Sequence, residues 1–299
     1  MSKPVRFLTR EPTFPSADLV EMRDCNDLLD DIDELQARFA EDGYLLVRGL
    51  HDRGQVLAAR AEMLATIRDQ GVLDPGSPLD EGRLLPGGRV SGRGLDQGGE
   101  LLKVVGGAPI LDFFQRYFAG DVRRFDFTWS RAVPNGGATG AHVDAVYMGR
   151  GSRRLMTCWT PLGDIDTALG GLVVCVGSHR LDGFRRLRQT YGRMDVDRDV
   201  VNGWFTSDPG EITERFGGRW ATTEFRAGDA VLFGMFTLHA SLTNTTDRLR
   251  LSADTRYQPA AEPADERWVR RDGKDPSGHT TWLTGKQKSM TEARAAWGI

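Results

Sequence analysis

Residues 225–259, FRAGDAVLFGMFTLHASLTNTTDRLRLSADTRYQP, carry the reading that decides the fold. Three short apolar runs, at about 229–235, 238–243 and 249–258, are separated by Gly, Thr, Asn and Asp, and runs so bounded predict strands. The same texture recurs upstream at about 122–134, 140–148, 154–162, 171–176 and 220–226. Eight short strands with turn signals between them predict a mainly β fold with flanking helices, a sandwich or jelly roll.

The flanking helices lie upstream. Residues 11–42 hold eleven Asp or Glu, and within them Leu28, Ile32, Leu35 and Phe39 recur at helical spacing, which predicts a helix over 27–41 stopped by Gly43. YLLVRGL (44–50) then reads as a buried strand. Asp52 is placed to cap a second helix, with Val56, Leu57, Met63, Leu64 and Ile67 on one stripe, and residues 107–118 suggest a third. The Gly- and Pro-rich stretch 72–100 is expected to be a mobile loop near the site, and 180–219 reads as an inserted lid. The expectation is a single domain over 1–299, with a β core at about 122–259 and a helical region at 20–118.

Composition narrows the function. With 299 residues and a net charge of -3, the chain can bury a full core but projects no basic field toward nucleic acid or anionic membrane. Small-molecule partners are expected, and the oligomeric state is not written in the sequence. Cys25, Cys158 and Cys175 suit buried free thiols in a reducing cytoplasm. No segment approaches 18 uninterrupted apolar residues.

TGAHVDAVYMG (139–149) brings His142 and Asp144 two residues apart, hence on one face if the segment is a strand. His239, on a second predicted strand, could add a third ligand, and two His with one carboxylate leave open positions of the kind used by non-haem Fe(II) oxygenases. Arg250 follows His239 by eleven residues. It reads either as a buried anchor for a dicarboxylate, helped by the Ser241 hydroxyl, or as a surface arginine paired with Asp247 or Asp254. Trp129, Arg131, Met148, Trp159 and Arg256 share predicted strands with these residues and are candidates for a substrate pocket. Strand parity puts Arg250, Ser252, Asp254, Arg256 and Gln258 on one face and Leu251, Ala253 and Tyr257 on the other, unless a bulge intervenes.

This set of residues resembles the phytanoyl-CoA dioxygenase family of Fe(II) and 2-oxoglutarate dependent oxygenases. LMTCWTPLGDIDTALGGLVVCVGSHR (155–180) is similar to that family's strand, acidic loop, Gly-Gly turn and G-S-H-R segment, and 225–259 to the strand pair bearing its distal His. The resemblance implies a double-stranded β-helix of the cupin-like kind. It further implies iron on His142, Asp144 and His239, and 2-oxoglutarate on Arg250 and Ser241, with Thr157 a further candidate. His179 would be structural. The implied reaction consumes O2 and 2-oxoglutarate, releases succinate and CO2, and oxidises a C–H bond of a metabolite, as in secondary metabolism. Related halogenases carry a small residue where this chain has Asp144, so hydroxylation, or a desaturation or ring change through the same radical, is expected. Leu169 stands where relatives often have a polar residue. The rival classes are a non-catalytic jelly-roll binding protein and a zinc hydrolase, the latter wanting a general base beside the metal.

Overall fold

The computed structural model describes residues 2–92, 94–95, 98–284 and 286–299. Ten strands build two facing sheets: β1 Leu19–Glu21, β2 Tyr44–Val47, β3 Val122–Arg124, β4 Trp129–Val133, β5 Met156–Pro161, β6 Leu172–Cys175, β7 Trp220–Thr222, β8 Ala230–Gly234, β9 His239–Ser241 and β10 Arg250–Pro259. The larger sheet runs β2-β8-β5-β10-β3, with β4 also paired to β10, and the smaller runs β9-β6-β7-β1. This is the double-stranded β-helix, with helices on one side.

Period-two alternation explains the layering. In β2, Tyr44 and Leu46 face the smaller sheet, where they meet Leu172, Val174 and Phe225, while Leu45 and Val47 face the helices. β8 does the same, with Val231 and Phe233 inward and Ala230 and Leu232 outward. β10 is the spine. All ten of its residues are buried, and it pairs with β5 on one side and with β3 and β4 on the other.

The helical layer is α1 Ile32–Asp42, α2 Arg53–Arg68, α3 Gly99–Val105 and α4 Ala108–Phe118. Asp31 and Asp52 cap α1 and α2 by accepting from the backbone N–H of Glu34 and Gln55. Gly43 ends α1 at φ 80, and a Cβ there would come within 2.5 Å of the His179 ring, so only glycine fits. α4 lays Phe113, Phe114, Tyr117 and Phe118 on the sheet, and Phe114 stacks on Tyr257 at 4.4 Å.

Several expectations need correction. The first helix begins at Ile32, not 27; a separate 3-10 turn covers Asn26–Leu28. Leu57 lies off the apolar stripe of α2, 39% exposed. Residues 122–134 form two strands, because the chain bends between Arg124 and Trp129. The expected strand at 140–148 is a bridge at Ala141 and His142 followed by the one-turn helix α5, Ala145–Met148. The described part of 72–100 packs away from the candidate site: Leu73 and Leu95 lie under α2 in one cluster with Leu249 and with Leu251 and Ala253 of the outward face of β10.

The interval 180–219 contains α6 Arg185–Gln189, α7 Val196–Asp199 and α8 Pro209–Phe216. The chain ends in α9 Thr281–Thr284 and α10 Met290–Trp297. Cys25, Cys158 and Cys175 are buried free thiols. Among the described residues no helix is long and apolar enough to cross a membrane.

Candidate active site

His142 and His239 lie opposite each other on adjacent backbone segments, each N–H donating to the other's carbonyl at 2.9 Å. That pairing fixes the two rings 4.1 Å apart, centre to centre. Each Nδ1 is within hydrogen-bond distance of a backbone carbonyl two residues earlier, Gly140 at 2.9 Å and Thr237 at 3.0 Å. Nδ1 therefore carries the proton, and each Nε2 presents a lone pair to the interior.

Asp144 supplies the third donor from the start of α5, with φ -64 and ψ -25. Its Oδ1 lies 3.9 Å from His142 Nε2 and 3.8 Å from His239 Nε2. The chain turns into the helix immediately after the bridge, and this helical turn, not alternation along a strand, swings the carboxylate beside the imidazoles. Ligand atoms of the three residues lie within 4.8 Å of one another, and all three residues are buried.

The electrostatics suit a cation. Burial first, then His239, lowers the His142 imidazole to about 3, and burial lowers His239 as well, so both rings are neutral at pH 7. Burial pushes the Asp144 carboxyl up, but Arg256, the two imidazoles and Thr157 outweigh it and hold the group well below the ordinary carboxylate range. Two neutral imidazoles and one carboxylate match the donor chemistry of a divalent metal such as iron.

A narrow cleft opens from the imidazoles and is lined by Arg131, Trp159, Ser241, Arg250 and Asp254 among others. Arg250 is 2% exposed; its Nη1 donates to Ser252 at 2.7 Å, and among the described residues its Nε has no partner and no carboxylate pairs with it. Burial, then Arg131, lowers it to about 9, still protonated at pH 7. A buried cation without a counter-ion, facing the imidazoles across one cleft, fits an anionic ligand such as the far carboxylate of 2-oxoglutarate. Pairing with Asp247 or Asp254 is excluded: those carboxylates go to Arg83 and to Arg131 with Arg256. Ser241 is buried in the cleft wall, where its oxygen accepts from the Thr139 N–H at 2.8 Å. The Thr157 hydroxyl does not line the cleft; it donates to Asp144 Oδ2.

The other candidates scatter. Trp159 lines the cleft and meets Phe225 edge-on. Trp129 is half-buried among Phe127 and Trp268, with the Arg256 guanidinium 4.0 Å from its ring centre. Arg131 pairs with Asp254 at 2.8 Å. Met148 is core, 2% exposed. Arg256 is buried and held by Asp144 and Asp254. His179 packs against Ala40 of α1, apart from the cluster.

Sequence reasoning passed over Tyr147, whose ring meets His142 edge-on at 5.5 Å, and Phe233, 4.4 Å from His239. Its signal was available: Tyr147 follows Asp144 by three, the spacing of one helical turn. Also missed was Trp204, 40% exposed, whose ring lies so close over Gly140 that a Cβ there would be 2.7 Å away. Leu169, the departure from the pattern, is buried in the core between the sheets and makes no polar side-chain contact.

Residues 107–252 match the Phytanoyl-CoA dioxygenase (PhyH) family. The chain is 26% identical over 250 residues to a 1-deoxypentalenic acid 11-beta-hydroxylase of Streptomyces exfoliatus, covering 80% of this chain and 85% of that one. Among solved structures, the epimerase SnoN in complex with Fe3+, alpha ketoglutarate and nogalamycin RO superposes with a TM-score of 0.56 at 21% identity, covering 87% of this chain and 98% of that one. EctD from S. alaskensis, in its apoform, gives 0.57 at 17% identity over 97% and 95%. At these identities the structural likeness speaks for the fold.

Proposed function

We propose, from the match of residues 107–252 to the phytanoyl-CoA dioxygenase family, that the chain is a member of it and a non-haem Fe(II)/2-oxoglutarate-dependent dioxygenase hydroxylating a C–H bond of a small-molecule metabolite. The observation that carries the reading is the pairing, in one buried region, of a His-Asp-His donor set with a buried guanidinium whose Nε has no partner and with which no carboxylate among the described residues pairs. Iron bound there would supply oxidative decarboxylation of 2-oxoglutarate by O2, giving succinate, CO2 and an oxidant for the substrate.

In this reading the protein's own part is placement. His142, Asp144 and His239 hold the metal through Nε2, Oδ1 and Nε2. Arg250, with Ser241 beside it, takes the far carboxylate of 2-oxoglutarate by charge-assisted hydrogen bonds, which fixes the cosubstrate's direction. Burial of all four side chains keeps bulk water from the reacting atoms. Asp144 occupies the position that halogenation would need free, so hydroxyl transfer is favoured. The hydrolase alternative finds no free base among the described residues of the cleft: the carboxylate lining it, Asp254, is held by Arg131 and Arg256 and kept below its ordinary range. Trp129, Arg131 and Trp159 remain our candidates for substrate contact. A relative's activity, the 11-beta-hydroxylation of 1-deoxypentalenic acid, supports a tailoring step on a natural product.

The test is succinate formation from 2-oxoglutarate with Fe(II), ascorbate and a metabolite library. Substrate-stimulated succinate from the wild type, absent in His239→Ala, is the expected result. Iron-loaded protein that binds a library member yet forms no succinate would make it a binding protein.

A further inference from the structure

The two oxygens of Asp144 have different surroundings. Oδ1 faces both imidazole Nε2 atoms, at 3.9 and 3.8 Å, whereas Oδ2 accepts from Arg256 Nη2 at 3.0 Å and from the Thr157 hydroxyl. Arg256 and Thr157 are register partners on β10 and β5, so two rigid strands of the larger sheet grip a carboxylate that itself sits on a short turn. The grip is braced from behind. Arg256 Nη1 donates to Asp254 Oδ2 at 2.7 Å, Asp254 is bound by Arg131 Nε at 2.8 Å, and the guanidinium plane rests near Trp129. Arg131, Asp254, Arg256 and Asp144 alternate in sign, so the buried row is close to neutral as a whole.

We propose that Arg256 is a positioning residue for the metal site: with Thr157 it occupies the far oxygen of Asp144, makes that carboxylate a one-oxygen ligand, and uses Asp254 as its own counter-charge. A carboxylate free at both oxygens can chelate and take two positions on the metal. Held at Oδ2, Asp144 takes one, and with two imidazoles three positions of an octahedral ion stay open for cosubstrate and oxygen. Arg256 therefore acts through Asp144 and not on the substrate. The inference rests on the proposed metal site, and outer partners of this kind commonly set metal affinity.

The experiment measures Co(II) binding by titration and by visible d–d absorption on the metal-free protein, beside circular dichroism of each variant. Arg256→Lys keeps the charge that Asp144 and Asp254 need but loses the planar fork, and Thr157→Val removes one hydroxyl with its volume kept. Each is expected to bind Co(II) about 10- to 100-fold more weakly with altered d–d bands, while Thr157→Ser restores both and far-ultraviolet dichroism stays native. Wild-type affinity and bands in both Arg256→Lys and Thr157→Val would overturn the proposal. His142→Ala separates the two levels: if it binds Co(II) as the wild type does, the metal site itself is misassigned; if it loses Co(II) while the other variants do not, only the role of Arg256 fails.

Discussion

His142 and His239 differ from the other histidines in what their Nε2 atoms face, and that difference is testable. Replacing either by Ala should remove iron and activity, whereas His179→Ala and His279→Ala should leave metal content unchanged, since one ring contacts the Ala40 carbonyl and the other Asp197. Metal analysis of the purified variants checks this, and equal loss in the controls would sink the assignment. Arg250→Lys keeps a charge in the cleft but cannot reproduce the fork, so apparent 2-oxoglutarate affinity should fall by about 2–5 kcal/mol with iron retained. An unchanged KM would move the anchor to Arg131, the other cation lining the cleft. These residues were legible because histidines are scarce and the spacing His142, Asp144, His239, Arg250 matches a family pattern. The partners of Arg256 were not. Parity put Arg256 on the interior face, but no local signal says that a side chain thirteen residues after Asp144, Thr157, would meet it at the same carboxylate oxygen.

At the level of elements, β10 was read most completely, because ten uninterrupted residues let alternation speak: Arg250, Ser252, Asp254 and Arg256 turn to the polar interior and Leu251, Ala253 and Tyr257 to the helices. α5 was misread for the opposite reason. Four residues complete barely one turn, too few for a 3.6-residue period to show, and tertiary contacts alone hold such a helix. The junction of α2 with the sheet offers a pH test. His51, just before the cap Asp52, is buried with Nε2 3.2 Å from the Thr160 hydroxyl, and burial lowers it from 6.5 to about 4. Below about 6.5 the unfolded chain binds a proton that the folded chain refuses, so stability is lost as pH falls from 6.5 toward 4 and then levels. The contribution is on the order of 3 kcal/mol. Urea unfolding of His51→Gln, which can keep a bond to Thr160 without titrating, should show a shallower acid slope over that window. An unaltered slope would mean that folding leaves the His51 proton affinity where it was.

Across the whole molecule, one of the ties between the tail and the region at 180–219 is a buried carboxylate, beside the Arg294–Glu211 ion pair and the Arg186 bond to the Trp297 carbonyl. Asp197 of α7, 5% exposed, accepts from Arg267 Nη1 at 2.6 Å, His279 Nδ1 at 2.9 Å, and the backbone N–H groups of Thr280 and Trp282 at 3.1 and 2.9 Å. The rings of His279 and Trp282 in turn touch Tyr147, whose ring also meets His142. Sequence could not reveal this, because the donors lie 70 to 85 residues from Asp197 and no periodicity links them. Asp197→Asn keeps the shape, but its amide cannot match a carboxylate toward four donors, at a cost of about 1.5–3 kcal/mol for charge-assisted bonds. Arg267 keeps Asp265, which argues for the lower end. Global stability should therefore fall by about 1.5 kcal/mol, while the Thr280 and Trp282 amides exchange hydrogen faster, since their acceptor has weakened. Iron affinity should not change, because none of these donors touches the donor set. Hydrogen exchange with mass detection over peptides 265–299, run beside metal titration, decides the point: unchanged exchange would mean that the tail's other ties, among them Arg294 with Glu211 and its aromatic packing, hold it without Asp197, and weakened metal binding would mean that Tyr147 transmits the loss to His142.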